Sequence, residues 1–304
     1  MAINFILLGI LGLLIYVWSQ EWIGHWAILP AFLTVFLPNF IQETPLISLS
    51  ILLAIASLFN FLLHPSKLNI IIAGLGLGAA QLAEPSNLIL LPYYLIIACF
   101  FYFISLARNW EYAPLLGHSL ELNDLGRRLF NYLKSLIFIF TIAAIVFYIA
   151  KILPNFDFQA GYQTLVNHLQ QDIWHWRPLG INNIVQQPPS AIILAGLSLL
   201  FFIINFLSSA KNAQKLFWMG NNFIELALII FILFYWSFGG AVTPVLPVLY
   251  LLISRPLKNL VARKNQKEIM IVVGHEALSF SVRWLVLFTL LLWYFVNTVY
   301  LYLQ

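Results

Sequence analysis

Residues 45–63 read PLISLSILLAIASLFNFLL, residues 69–83 read NIIIAGLGLGAAQLA, and only HPSKL at residues 64–68 separates them. A hydrocarbon core about 30 Å thick is crossed by roughly 17 to 25 apolar residues in a helix, and by fewer where packing thins the bilayer. Two such runs joined by a short polar turn therefore predict a pair of helices that crosses a membrane and returns.

The same pattern extends over the whole chain of 304 residues. Its residues are 62% hydrophobic and 9% charged, whereas soluble domains are roughly half apolar. Apolar runs occur at residues 3–18, 26–41, 45–63, 69–83, 86–107, 129–152, 190–209, 217–236, 240–254 and 281–303. We therefore expect an all-α, polytopic integral membrane protein with about ten transmembrane helices, forming a single transmembrane domain over residues 1–304.

The cations are concentrated in every second gap between these runs. The basic gaps contain Lys67, Arg108, Arg127, Arg128, Lys211, Lys215, Arg255, Lys258, Arg263, Lys264 and Lys267. Cytoplasmic loops carry an excess of Lys and Arg, so residues 108–128 and 255–280 are predicted to be cytoplasmic loops. The same rule predicts that both termini and the loop 153–189 lie outside.

Composition also limits the classes of partner. The single Cys99 excludes an intramolecular disulfide. The net charge of +4 comes from the clustered cations of the predicted cytoplasmic loops, and no basic-aromatic motif accompanies them. Membrane lipid is therefore an expected partner, and nucleic acid is not.

Polar residues on the predicted outer face are the candidates for chemistry. Glu43 and Glu84 occupy very short turns, and the long loop contains His175 and Arg177. The guanidinium of Arg177 could hold a phosphate through paired hydrogen bonds. The sequence fits equally well a cation at the membrane interface that only extends its charged group to water. His168 and His175 lack regular ligand spacing, and no metal site is predicted.

The residues from 38 to 94 also resemble a known family. In order they read PNF at 38–40, ETPLIS at 43–48, HPSK at 64–67, AGLGLGAA at 73–80, AEPS at 83–86 and LPYY at 91–94. QPPS at 187–190 and TPVLPVLY at 243–250 continue the likeness more weakly. This order resembles the multi-spanning C-type glycosyltransferases that use polyprenyl-phosphate sugars, including the protein O-mannosyltransferase and aminoarabinose-transferase branches.

The resemblance implies a C-type glycosyltransferase-like bundle in a bacterial inner membrane. A polyprenyl-phosphate sugar would be the donor substrate, and an outer-face acceptor of unknown identity would receive the sugar. Glu43 would act as the catalytic base, one position from the family's second outer acid. Glu84, His175 and Arg177 would bind substrate, and a divalent cation is the one cofactor left open.

The start of the chain departs from the family pattern, since the first span and the first outer loop with its acidic residue are not seen. We therefore expect either a fragment or a degenerate relative. Two alternatives follow: a non-catalytic protein that binds polyprenyl lipid or scaffolds the same pathway, and a transporter of lipid-linked sugars. A transporter is expected to carry inverted repeats, and no convincing pair of repeats is found in the sequence.

Three further expectations concern local structure. Gly74, Gly76 and Gly78 lie inside one run and are predicted to let neighbouring helices approach closely. Glu225 lies near the start of its run, so we expect its carboxylate to extend to the membrane surface or to pair with Lys215. Residues 269–280 have room for an interfacial helix.

Overall fold

The computed structural model of the chain describes residues 2–35, 45–112, 122–150, 222–239, 246–252, 268–273 and 276–281, with single helical residues between 196 and 219 and between 288 and 296. Its contacts divide the chain into two compact units. One comprises Met1–Pro45, Gly180–Ile204 and Leu246–Gln304, and the other comprises Leu46–Leu179 and Asn205–Val245. The described chain is predominantly helical, as the hydropathy pattern predicted.

The first unit begins with two closely packed helices. Helix α1 (Ala2–Ile23) is followed by a 3-10 turn (Gly24–Ala27) and helix α2 (Ile28–Val35). Gly24 has a φ of +61°, a left-handed conformation that glycine adopts without steric penalty. A Cβ atom on Gly12 would lie only 2.6 Å from Cγ2 of Val35. The two helices therefore return against each other at a position where only glycine fits.

The second unit contains five helices. They are α3 (Pro45–Leu63), α4 (Lys67–Ala83), α5 (Leu90–Tyr112), α6 (Leu122–Ala150) and α7 (Phe223–Gly239). A 3-10 turn at Pro85–Ile89 joins α4 to α5. Pro85 has no backbone N–H to continue the preceding helix, so its position explains why α4 ends where it does.

Three of the described helical segments are long and apolar enough to cross a membrane: Pro45–Leu63, Asn87–Leu106 and Leu129–Ile149. Shorter apolar segments occur at Ile6–Gln20, Gly24–Val35, Lys67–Ala83 and Phe223–Tyr235. These lengths agree with an integral membrane protein. The count of ten spans and the C-type bundle stay predictions.

Contacts within the second unit fix the directions of its helices. Gly74 and Gly78 of α4 lie against Ile142 and Val146 of α6, respectively. The contacts follow the same order along both helices, so α4 and α6 are parallel. Tyr93 contacts Ala227, and Asn87 contacts Tyr235, so α5 and α7 run in opposite directions. Because short turns reverse the chain before and after α4, the helices α4, α6 and α7 share one direction, and α3 and α5 the other.

This arrangement places several cations of the second unit at one end. Lys67 begins α4, Arg127 lies in the first turns of α6, and Arg108 lies near the end of α5. All three positions belong to one end of the helices, which we call the basic end. Glu84 follows α4 at the opposite end. In these described helices the three cations and Glu84 lie at opposite ends, in keeping with the alternation in the sequence, and which end is cytoplasmic stays a prediction.

A β-hairpin replaces the interfacial helix that the sequence suggested for residues 269–280. Strand β1 (Glu268–Val273) pairs antiparallel with β2 (Glu276–Ser281), and Val273 is the partner of Glu276. The helix prediction was wrong because β1 is rich in β-branched residues, whose restricted χ1 angles favour extended backbone. Length alone does not separate helix from strand in a short apolar run.

The α3–α4 turn at the basic end is held by side chains, and its main cap yields a testable prediction. Ser66 Oγ accepts a hydrogen bond from Asn69 N at 3.1 Å, and Asn69 Nδ2 donates to His64 O at 2.6 Å.

The Ser66→Ala variant is expected to lose about 1 kcal/mol of unfolding free energy, because the first turn of α4 loses its N-cap. Reversible denaturant unfolding in micelles measures the change. Ser135→Ala is the control, since Ser135 only bonds back within α6, and equal losses in both variants would contradict the capping role.

Candidate functional site

Of the four residues predicted to form a site, only Glu84 lies within the described part of the chain. Glu43, His175 and Arg177 lie outside the described residues, so their predicted roles stay predictions. Glu84 is half-buried between the end of α4 and the 3-10 turn. The site is therefore built outward from this residue.

The backbone of Glu84 leaves the helix in an extended conformation, with φ −154° and ψ 116°. Its N–H donates to Ala80 O at 3.2 Å, and its carbonyl oxygen accepts from Asn87 N at 2.9 Å. Both backbone groups of Glu84 are thus engaged in the turn. The carboxylate is consequently carried on a fixed backbone at the end of an apolar helix.

Asn87 connects this turn to α7. Its side chain is fully buried, its Nδ2 donates to Ala80 O at 2.8 Å, and its Oδ1 accepts from the Tyr235 hydroxyl at 3.4 Å. The Glu84 carboxylate lies within electrostatic range of the same hydroxyl. Glu84, Asn87 and Tyr235 therefore form one polar group, which we call the Glu84 cluster.

Aromatic packing fixes the position of α7 against α5 beneath this cluster. The Tyr93 hydroxyl donates to Ala227 O at 3.1 Å. The ring of Phe231 lies between two tyrosines, with centroids 5.4 Å from Tyr93 and 5.3 Å from Tyr235. Buried tyrosines need a partner for the hydroxyl as well as apolar contacts for the ring, and both are supplied here. The register of α5 on α7 is thereby set, and Tyr235 is held beside Asn87.

Gln81 lies one turn before Glu84 and differs from its neighbours. Its side chain is 2% exposed, and its Nε2 atom has no hydrogen-bond partner in the described structure. Sequence reasoning missed Gln81, Asn87 and Tyr235. A signal was available for the first of these, since Gln81 is a polar residue inside the apolar run GLGLGAAQLA, and polar residues within membrane segments are functional candidates.

Two other predicted features are resolved by the structure. Glu225 is only 3% exposed, so the first alternative, that its carboxylate extends to the membrane surface, was wrong because packing of α7 encloses it, and the second, pairing with Lys215, stays a prediction. The three glycines behave as predicted: Gly74 and Gly78 lie against α6, and Gly76 lies against Ser57 of α3.

The arrangement has a defined chemical capacity. A half-buried carboxylate at a helix end can accept hydrogen bonds from hydroxyl groups or take a proton from one. The Tyr235 hydroxyl lies within electrostatic range of the carboxylate and bonds to the Asn87 side chain of the same turn. Among the described residues, no group of three His, Cys, Asp or Glu side chains is placed to hold a metal ion.

Comparison with known proteins adds no relative to this picture: no protein-family model, no curated protein and no solved structure matches the chain.

Proposed function

We propose that this chain is a membrane glycosyltransferase of the C type, which transfers a sugar from a polyprenyl-phosphate donor to an acceptor at the outer face. The order of motifs from residue 38 to residue 94 suggests the family, and the second unit supplies an independent argument. Helix α3 begins, and helices α4, α6 and α7 end, at the end of the unit where Glu84 lies. Glu43 precedes α3 by two positions, and the loop with His175 and Arg177 follows α6.

That convergence is the observation on which the proposal depends. Two segments that carry candidate residues, the Glu84 turn and the loop that follows α6, are attached to the same end of one helical unit. A catalytic site needs such groups to be brought together from distant parts of a chain.

The basic end supports the orientation. Lys and Arg accumulate on the cytoplasmic side of membrane proteins, so the opposite end, with Glu84, would face outward. The proposal therefore includes an inner-membrane location in a bacterium, with the loop 153–189 and both termini outside. A lipid-linked sugar displayed on the outer leaflet would then reach the Glu84 cluster directly from the bilayer.

The proposed chemistry assigns one role to each candidate. The Glu43 carboxylate takes the proton of the acceptor hydroxyl as that oxygen attacks the anomeric carbon. The bond from the anomeric carbon to the phosphate oxygen breaks, and polyprenyl phosphate leaves with its electron pair. Arg177 would balance the charge on the leaving phosphate through its planar guanidinium, with His175 nearby, and the Glu84 cluster would bind the donor.

A transfer assay in membranes tests the proposal. Membranes containing the chain, and matched membranes without it, are incubated with radiolabelled polyprenyl-phosphate sugars, with and without a chelator that reveals any need for a divalent cation. We expect label to move from the lipid fraction to an acceptor only when the chain is present. Donor binding without transfer would instead favour a non-catalytic lipid-binding protein. Movement of unreacted donor between leaflets would favour a transporter, and neither binding nor transfer would reject the family assignment.

A further inference from the structure

The amide of Gln81 is an exception in an otherwise satisfied region. Asn87, Tyr93, Tyr94 and Tyr235 all have hydrogen-bond partners, whereas Nε2 of Gln81 has none. A buried donor without a partner costs about 1–3 kcal/mol of stability. An apolar residue of similar size at this position would avoid the penalty, so the glutamine calls for another explanation.

The position of Gln81 suggests what that explanation is. Gln81 lies three residues after Gly78 and seven after Gly74, on the side of α4 that approaches α6. It also lies one turn before Glu84, at the end of the unit where α6 finishes and the candidate loop begins. Glu84 is the C-cap residue of α4, so its Cα atom lies one helical turn beyond that of Gln81. A ligand group that reaches the half-buried Glu84 therefore comes within range of the Gln81 amide after a rotation of its flexible side chain.

The two side chains have complementary hydrogen-bonding properties. The amide nitrogen of Gln81 only donates, and the ionised carboxylate of Glu84 only accepts. A hydroxyl group does both, so adjacent hydroxyls of a sugar can satisfy the two residues at once. A phosphate would satisfy Gln81 but would bring a second negative charge beside Glu84. The pair therefore fits a polyhydroxylated ligand better than an anionic one.

We propose that Gln81 is a sugar-binding residue of this site, donating its side-chain amide to a sugar hydroxyl while Glu84 accepts a hydrogen bond from the sugar. That this sugar is the head group of the lipid donor rests on the proposed function. The role of Gln81 does not require transfer to occur. Gln81 and Glu84 thus bind the sugar, and the phosphate is bound elsewhere.

The test uses the full chain in lipid nanodiscs and the variant Gln81→Met, which keeps the length of the side chain and removes its polar atoms. Three probes are titrated: farnesyl glycosides that lack phosphate, farnesyl phosphate that lacks sugar, and farnesyl-phosphate sugars. Tyr132→Phe is the matched control, since the Tyr132 hydroxyl is also enclosed without a partner but lies in the first turns of α6, at the basic end.

Without probe, Gln81→Met is expected to unfold at the same temperature as the wild type or higher, because an unsatisfied amide has been removed. With farnesyl glycosides, its dissociation constant is expected to rise about tenfold or more, while binding of farnesyl phosphate and the binding properties of Tyr132→Phe stay unchanged. If Gln81→Met loses glycoside binding while the wild-type chain shows no transfer, the sugar site is retained and the proposed enzyme activity is rejected.

Four results would overturn the inference. A lower unfolding temperature for Gln81→Met would show that the amide serves stability. Unchanged glycoside binding would remove Gln81 from the site, and failure of the wild type to bind any glycoside would remove the site itself. An equal loss of farnesyl phosphate binding would assign the amide to the phosphate.

Discussion

The Glu43→Gln variant is expected to transfer sugar about 10²- to 10⁴-fold more slowly than the wild type, which is the range that a positioned general base contributes. Glutamine keeps the size of the side chain but cannot take the proton of the acceptor hydroxyl. Its effect should fall on kcat, because proton removal belongs to the chemical step. Initial rates of acceptor labelling at several donor concentrations measure the change.

Glu84→Gln is expected to behave differently in the same assay. If Glu84 binds the sugar of the donor, its loss weakens binding, and KM should rise more than kcat falls. Glu111→Gln is the control, because Glu111 lies in the last turn of α5 at the basic end, and it should match the wild type. A Glu43→Gln enzyme with full activity would show that the base is another residue, and an equal fall of kcat in Glu84→Gln would give that role to Glu84.

The helical part of the fold could be predicted because apolar runs and their boundaries are local features. The run predicted at 45–63 matches α3 (Pro45–Leu63), and the run at 69–83 lies inside α4 (Lys67–Ala83). Proline, serine and lysine mark these ends through backbone geometry and capping, which depend on only a few neighbouring residues. The hairpin at 268–281 was missed because an apolar run of that length has no decisive period.

The candidate site was only partly predictable, for a reason that is not local. Glu84 stands out in the sequence as an acid between two apolar runs. Asn87 and Tyr235, by contrast, are separated by 148 positions and meet only because α5 and α7 pack in one register. Hydropathy shows that both helices exist but carries no information on which faces meet. The partners of Glu84 therefore emerge only from the packed helices.

The α4–α6 interface carries the second large prediction. A Cβ atom on Gly74 would lie 2.7 Å from Cβ of Ile142 and 3.0 Å from the carbonyl oxygen of Ile139. The backbone oxygen cannot rotate away, so the Gly74→Ala variant must push α4 from α6. We expect it to lose about 1–3 kcal/mol of unfolding free energy, the typical range for overpacking, although alanine favours the helix more than glycine does. Denaturant titration in micelles measures the loss.

Two further variants separate the interface from the helix itself. Gly126→Ala introduces the same methyl group into α6, where a Cβ atom meets nothing within 4 Å, and it should raise stability by about 0.5–1 kcal/mol. Ile142→Gly removes the opposing Cβ and Cγ2 atoms, so the double variant Gly74→Ala/Ile142→Gly should be more stable than the sum of the two single changes predicts. Strictly additive effects would mean that Gly74 and Ile142 do not meet.

The same variant connects packing to the site. Between membrane helices there is no hydrophobic driving force, so close contact supplies much of the attraction, and small residues make that contact possible. Gln81 and Glu84 follow Gly78 on α4, beside the end of α6. A shift of α4 by the width of a methyl group would move both side chains relative to the end of α6. Gly74→Ala should therefore weaken binding of farnesyl glycosides, and Ile142→Gly, which removes the Cβ and Cγ2 atoms that the new methyl group meets, should restore part of it in the double variant. Glycoside binding that stays at the wild-type level in Gly74→Ala would show that the site does not depend on this interface.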